Sequence, residues 1–328
     1  TYTPVRYFDF IGITLPHEMA ATNALEFLDL SQIPLHSLDR GEEDPIVFGG
    51  GPLAYNPEPL APLFDAFFIG EGEELDLEVA LKHRQMKAAG ASRAEILREL
   101  SHIGGVYVPS LYKTEEHKIL GMPDGTHGYT VAYPCDEDVP PVVVKRIIQD
   151  FDQLEALPRP IVPYSELVHD RLAIEILRVC TRGCRFCQAG MMYRPVRERK
   201  ADTVISAVAR GLACTGYDEV SLTSLSSTDH STIQDMLRRL NRSFHGTGKN
   251  ISLPSQRVDS LGVELARLAA GEKKGGLTLA PEAGTQRMRD VINKGVTEED
   301  LIKAKTSAVE AGWRGFKLYF MIGLPFET

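Results

Sequence analysis

From residue 171 onward, short apolar runs alternate with stretches of helical spacing, and few folds accommodate that grammar. "LAIEILRVC" reads as a strand, "ADTVISAVARGLACTG" as a helix closed by glycine, and "DEVSLTSLSS" as the next strand. "STIQDMLRRLNRSFHG" is helical, "NISLPSQRVD" a strand, "VELARLAAGEKKG" a helix and "GLTLAPEAG" a strand. "TQRMRDVINKG" and "TEEDLIKAKTSAVEAGW" are helices before a last strand, "GFKLYFMIGLP". Strands that alternate with helices and end in polar residues or glycine describe a barrel or partial barrel, with its site at the strand carboxyl ends. The units fall short of a closed eightfold barrel.

A shorter version of the same grammar occupies the first third of the chain. "FDFIGIT" is of strand length, and the helical spacing that follows has Leu25, Leu28 and Leu30 among its apolar positions. Ile46, Val47 and Phe48 form a buried-type strand running into Gly49, Gly50 and Gly51, and Ala66 to Ile69 lead into Gly70 and Gly72. Strand, helix, strand is the pattern of an open parallel sheet. Glycines at strand carboxyl ends either make tight turns or let backbone approach a ligand, which makes Gly49, Gly50, Gly51 and Gly70 candidate cofactor contacts. Between 86 and 170 the periodicity weakens into an amphipathic stretch, "MKAAGASRAEILREL", a short strand in "GGVYVPSLY" and proline-rich connectors. The expected organisation is an α/β domain over 1–85, a linker over 86–170 and the barrel-like unit over 171–328. The chain starts at Thr1 and stops at "IGLPFET", so both ends read as cut from a longer protein.

Composition narrows the class. With 43% hydrophobic and 25% charged residues over 328 positions, the chain is globular rather than disordered. No apolar run is long enough to span a bilayer and no secretory signal is evident, so the default compartment is the cytoplasm. A net charge of -9 disfavours holding a long nucleic acid by charge alone. The basic run "RPVRERK" at 194–200 is the local exception, either a solvated face or a phosphate or RNA contact.

Three of the five cysteines fall within eight residues, Cys180, Cys184 and Cys187 in "CTRGCRFC". A structural zinc site needs four closed ligands, and only one tight pair is present, so zinc would require a distant histidine such as His169 or His230. A redox C-x-x-C pair leaves Cys180 without a purpose. Cys214, in a helix with apolar neighbours, reads as a buried small side chain, and Cys135 has no evident partner. An iron–sulfur cubane explains the count: three thiolates hold three irons and leave the fourth open to an external ligand.

The spacing C-x3-C-x-aromatic-C resembles the signature of the radical S-adenosylmethionine (SAM) superfamily. That resemblance implies a [4Fe-4S] cluster on Cys180, Cys184 and Cys187, whose open iron chelates SAM and whose electron cleaves it to a 5′-deoxyadenosyl radical. It also implies a protein reductant such as flavodoxin or ferredoxin. Phe186 takes the aromatic position beside the adenine. Ser224, Ser226 and Ser227 stand where the family has a segment for the SAM amino group, and Ser255 and Arg257 end the third strand, with Arg257 placed for the carboxylate. Glu282 would contact ribose or amine, and Ile322 and Gly323 would pass the adenine. Residues 7 to 75 resemble the carboxyl half of the cobalamin-binding domain found before many such barrels. The D-x-H-x-x-G motif of those domains is absent from residues 1–328 and would belong upstream, where the chain reads as cut, so histidine coordination stays open and cobalamin is an expectation with or without it. The lack of cysteine in 1–134 separates the chain from the methylthiotransferases, whose preceding domain carries three. The reaction implied is radical chemistry, cobalamin-assisted methylation among its forms, on a substrate the sequence leaves open; a non-catalytic zinc or iron–sulfur module and an RNA-binding protein are the competing classes.

Overall fold

The computed structural model describes residues 2–118, 128–154, 159–165, 167–254, 256–260, 262–270 and 276–328. It divides into two compact units, Thr1–Gln149 and Asp150–Thr328.

The first unit is built on β1 (Phe10–Thr14), β2 (Ile46–Gly50), β3 (Ala66–Phe68) and β4 (Val106–Tyr107), hydrogen-bonded in that order. The first three are parallel and β4 is antiparallel to β3. Side chains alternate across a strand, so β2 serves two cores at once. Ile46 and Phe48 pack with α2 (Gly72–Ala88) and α3 (Arg93–Ser101) through Leu75, Val79 and Leu100. Val47 points the other way, into a cluster with Ala24 and Leu28 of α1 (Ala20–Leu30) and with Phe64 and Phe67. Helices on both faces make this the doubly wound arrangement expected from the alternation. Leu28 is fully buried, whereas Leu30 lies on the solvent side of α1.

The stretch 86–149, expected to be linker, is part of this unit. Its first residues finish α2, and α3 and β4 complete the sheet and its cover. The proline-rich connector is fastened too: Arg146 N donates to Ile69 O at 2.8 Å, and Glu71 N to Arg146 O at 3.1 Å. The hairpin of β5 (Tyr112–Lys118) and β6 (Gly128–Pro134) adds an antiparallel pair.

In the second unit β7 (Leu172–Glu175) leads through β8 (Leu177–Arg178) into the cysteine loop, after which come the short α4 (Ala189–Met192) and β9 (Arg197–Glu198), the antiparallel partner of β8. α5 (Ala201–Thr215), β10 (Glu219–Thr223), α6 (Ile233–Phe244), β11 (Asn250–Ser252), α7 (Val263–Ala270) and β12 (Gly276–Glu282) continue the alternation. The chain then forms α8 (Gln286–Val291), α9 (Glu298–Glu310) and β13 (Gly315–Phe320). The strands make a parallel sheet in the order β11-β10-β7 and a parallel pair β12-β13. Among the described residues the barrel is not closed. One apolar core, from Leu172 and Val220 to Leu277 and Trp313, underlies both sets of strands. Among the described residues no helix is long and apolar enough to cross a membrane.

Candidate functional site

The cysteine loop starts from a bent backbone. Val179 is 2% exposed and holds φ at 77°, a conformation that β-branched residues avoid, and the next residue is Cys180. Cys180 and Cys187 are half-buried and Cys184 is buried. Burial pushes the Cys184 thiol up, against the pull of Lys294 and Arg257, which lower it. Gly190 N donates to Cys187 Sγ at 3.3 Å, an amide–sulfur bond of the kind that tunes cluster thiolates.

The three cysteines share a cavity of about 320 Å³ with Phe186, Arg257, Glu282 and Lys294. The strand-end segments expected to converge on this place do so in part. Arg257 reaches the wall, but its Nε and Nη2 are held by Asp259 at 2.9 and 3.0 Å. Burial would lower its guanidinium, yet the Asp259 pair, with Asp229 and Cys180 adding, carries it above the ordinary arginine value. Glu282 faces Lys294 at 3.2 Å, and Lys294 Nζ sits 5.9 Å from the centre of the Phe186 ring. Glu282 also lies at a break in the β12-β13 register, with φ at 68°.

Other expected residues are placed differently. Ser226 and Ser227 are fully buried, and their hydroxyls serve the loop itself: Ser226 Oγ donates to Asp229 at 2.9 Å and Ser227 Oγ to Leu222 O at 3.1 Å. Ser224 Oγ pairs with Ser227 Oγ at 2.8 Å, and it is Leu225 that lines the cavity. A short serine-rich turn consumes its own hydroxyls before they can reach a ligand. Ile322 is 91% exposed, and Gly323 N donates to Glu327 at 2.6 Å; neither lines the cavity. Ser255 lies outside the described residues. Sequence reasoning missed Lys294, Gln256 and Asp259, although all three sit inside stretches already read as barrel segments. The carboxamide oxygen of Gln256 is the informative one. Its nitrogen donates to Leu253 O at 3.0 Å, while the oxygen is buried without a hydrogen-bond partner, leaving an acceptor for a ligand donor.

In the first unit a second cavity, about 390 Å³, opens among Thr14, Gly50, Gly51, Gly70, Gly72 and Asp76. Gly50, Gly51 and Gly70 follow the carboxyl ends of β2 and β3, as the sequence suggested. Gly49 is absent from this lining. A Cβ there would meet the Phe67 ring at 2.8 Å, so its lack of a side chain serves core packing.

Several competing readings lose their residues. His230 has Nε2 2.9 Å from Arg199 O, and its Nδ1 accepts from Thr232 N at 3.2 Å. His169 Nδ1 accepts from Arg171 at 3.2 Å, and neither histidine lines the cavity of the three cysteines. Among the described residues no three of His, Cys, Asp or Glu are grouped to hold a single metal ion. Separate corners of a cubane place no such demand on three thiols. The basic run makes contacts within the chain: Arg194 binds Gly190 O at 2.9 Å, Arg197 binds Tyr193 O at 3.1 Å, and Lys200, itself exposed, lies 3.4 Å from Asp152. Arg199 is 4% exposed and stacks 4.4 Å over the Phe151 ring. Cys214, expected to be buried, is exposed on α5.

The chain is 29% identical over its full 328 residues to an uncharacterized protein of Methanocaldococcus jannaschii, of which it covers 61%. It resembles the structure of TsrM, a radical S-adenosylmethionine methyltransferase from Kitasatospora setae, solved with tryptophan substrate and a SAM analogue. That likeness has a TM-score of 0.61 at 17% identity and covers 99% of this chain and 58% of TsrM. OxsB, a cobalamin-dependent S-adenosylmethionine radical enzyme solved with aqua-cobalamin and S-adenosylmethionine, gives 0.58 at 16% identity over 96% of this chain and 41% of its own. At these identities the two structures speak to the fold, a Rossmann-like domain followed by a partial barrel. The chain spans about three-fifths of the length of the curated relative it matches. The family profile for radical SAM proteins, N-terminal, matches residues 1–109, and that for the radical SAM superfamily matches 174–328, so the chain belongs to the radical SAM superfamily.

Proposed function

We propose that the chain is the core of an enzyme that cleaves SAM reductively and begins radical chemistry on a substrate, with cobalamin-assisted methylation as the reaction type. The carrying observation is that Cys180, Cys184 and Cys187 border one cavity with two cations, a carboxylate and an orphaned amide oxygen. The remaining cysteines, Cys135 and Cys214, are exposed and lie outside that lining. Three thiolates suit a [4Fe-4S] cluster with one open iron, and the cluster, when bound, supplies the electron for SAM cleavage.

The chain's own residues then have definite work. Lys294 and Arg257 carry positive charge into the cavity and favour the thiolate forms. Glu282 and the Gln256 oxygen are acceptors for the amine and hydroxyl donors that SAM carries. The wall contributed by Leu225, Val258 and Phe186 is apolar and limits water at the thiols. A low-potential protein reductant such as flavodoxin or ferredoxin is part of the reading.

In the first unit Gly50, Gly51, Gly70 and Gly72 put backbone into the cavity lining, a surface on which a large planar ligand such as cobalamin could lie. The neighbours TsrM and OxsB, solved with cobalamin, favour that assignment. Anaerobic reconstitution is expected to load about four irons per chain and to yield 5′-deoxyadenosine from SAM under reduction. Cys184→Ala is expected to abolish both. Zinc taken up in place of iron under those conditions would sink the reading.

A further inference from the structure

The loop between Cys180 and Cys184 is tied down at nearly every residue. Thr181 Oγ1 donates to Asp229 Oδ2 at 3.1 Å. Arg182 Nη2 lies 3.6 Å from Asp229 Oδ1 and 3.2 Å from Asp259 Oδ2. Gly183 O accepts from Asn293 Nδ2 at 2.8 Å, and Arg185 N donates to Ile292 O at 2.9 Å. Asp229 joins the first two of these ties, and its carboxylate also accepts from Ser226 Oγ at 2.9 Å and stands 4.0 Å from Arg257 Nε.

Burial decides which member matters. The Thr181 and Arg182 residues are exposed, and an exposed ion pair is worth little by itself. The Asp229 side chain is only 8% exposed, so its charge depends on these donors and fixes them in return. Asp229 follows β10, so it carries the position of the barrel sheet into the cysteine loop.

We propose that Asp229 is a positioning residue for the cluster, holding the Cys180–Cys184 turn in its binding geometry and adding a fixed negative charge that lowers the cluster's reduction potential. This rests on the proposed function for its second half; the first concerns the folded loop alone. The charge part follows because Asp229 bonds Thr181, the residue after Cys180, and shares Arg257 with the Cys180 thiol, while charges near the sulfurs set cluster potential.

Three variants of the chain separate the roles. Asp229→Ala removes tie and charge, Asp229→Asn keeps an acceptor without the charge, and Thr181→Val removes only the loop's donor. In metal-free protein, amide exchange across residues 180–187 is expected to be about tenfold faster in Asp229→Ala, faster in Thr181→Val, and close to wild type in Asp229→Asn. In reconstituted protein, a redox titration followed by EPR is expected to show a more positive potential for Asp229→Asn and an unchanged one for Thr181→Val. Exchange equal to wild type in both Asp229→Ala and Thr181→Val would overturn the tie, and an unshifted potential in Asp229→Asn would overturn the charge role. Should Asp229→Ala not fold, exchange in Thr181→Val decides the first point. Wild-type protein that takes up no iron counts against the proposed function and with it the charge role, while the exchange result still judges the tie.

Discussion

Gly70 has φ at 118°, and a Cβ built there would collide with the backbone carbonyl of Arg146. Two costs coincide, a left-handed conformation and a backbone contact that cannot rotate away, so alanine should not be tolerated. Gly70→Ala is expected to destabilise the protein by about 2 kcal/mol or more in urea unfolding, against a change within about 0.5 kcal/mol for Gly12→Ala. Gly12 meets nothing within 4 Å and has no positive φ, which makes it the fitting control. Equal stability of the two variants would show that the Arg146 segment is not held as described. Glycines after strands were legible in the sequence as a group. Which of them serves the cavity, which serves packing and which admits a neighbouring chain was not, because those roles depend on Phe67 and Arg146, distant in sequence. Val179 and Glu282 were less legible still. Nothing in the residue type announces a valine or a glutamate at positive φ, and such strain costs on the order of 1–3 kcal/mol that the surrounding packing must offset.

Among the elements, α2 and α3 show how one helical signal becomes two helices. The spacing of "MKAAGASRAEILREL" is continuous, but Gly90 turns at φ 77° and Ser92 opens a new helix with a capping box to Glu95. Local capping chemistry overrode the periodicity, and the signal for it, S-x-x-E, was present. The inner face of α2 carries Leu75, Val79 and then His83, each four residues after the last and all buried. His83 packs edge-on against Phe10 at 5.7 Å. Burial lowers its pKa below the ordinary histidine value; Asp9 opposes this, while Lys87 and Arg93 add to it. A depressed histidine stays neutral when folded and takes a proton more readily when unfolded. Its stabilising effect is therefore complete above about pH 6.5 and is lost as pH falls from there through the folded value. The urea midpoint should drop between pH 7.5 and 5 in the wild type and drop less in His83→Leu; parallel curves for the two proteins would remove His83 as the cause.

At the scale of the molecule, each unit has its own apolar core and its own cavity at or near the carboxyl ends of parallel strands. A strand such as β2 was legible because burial on both sides of a parallel sheet leaves a continuous apolar run, whereas β13 is largely apolar in sequence yet exposed along its length. The unit boundary was not, since the connector up to Gln149 is held by backbone bonds that carry no sequence period. A candidate cavity in each unit leads to a prediction that treats the proposed cofactors independently. A ligand that binds only the folded state stabilises it by about 2.7 kcal/mol at a hundred times its dissociation constant. Hydroxocobalamin is expected to slow amide exchange most strongly at 10–14, 46–51 and 66–72, which border the glycine cavity. Iron and sulfide followed by SAM should act most strongly at 178–187, 256–258 and 276–282. The two patterns are read in one protein by adding the ligands separately, with mass-resolved peptides covering both units. Protection by cobalamin that spares 46–51 and 66–72 would remove it from the glycine cavity and leave the three cysteines with their assignment intact. Protection at the cysteine loop by iron alone, unchanged on adding SAM, would instead mean that the fourth iron is closed, and the reading of three thiolates as an open cluster would fail.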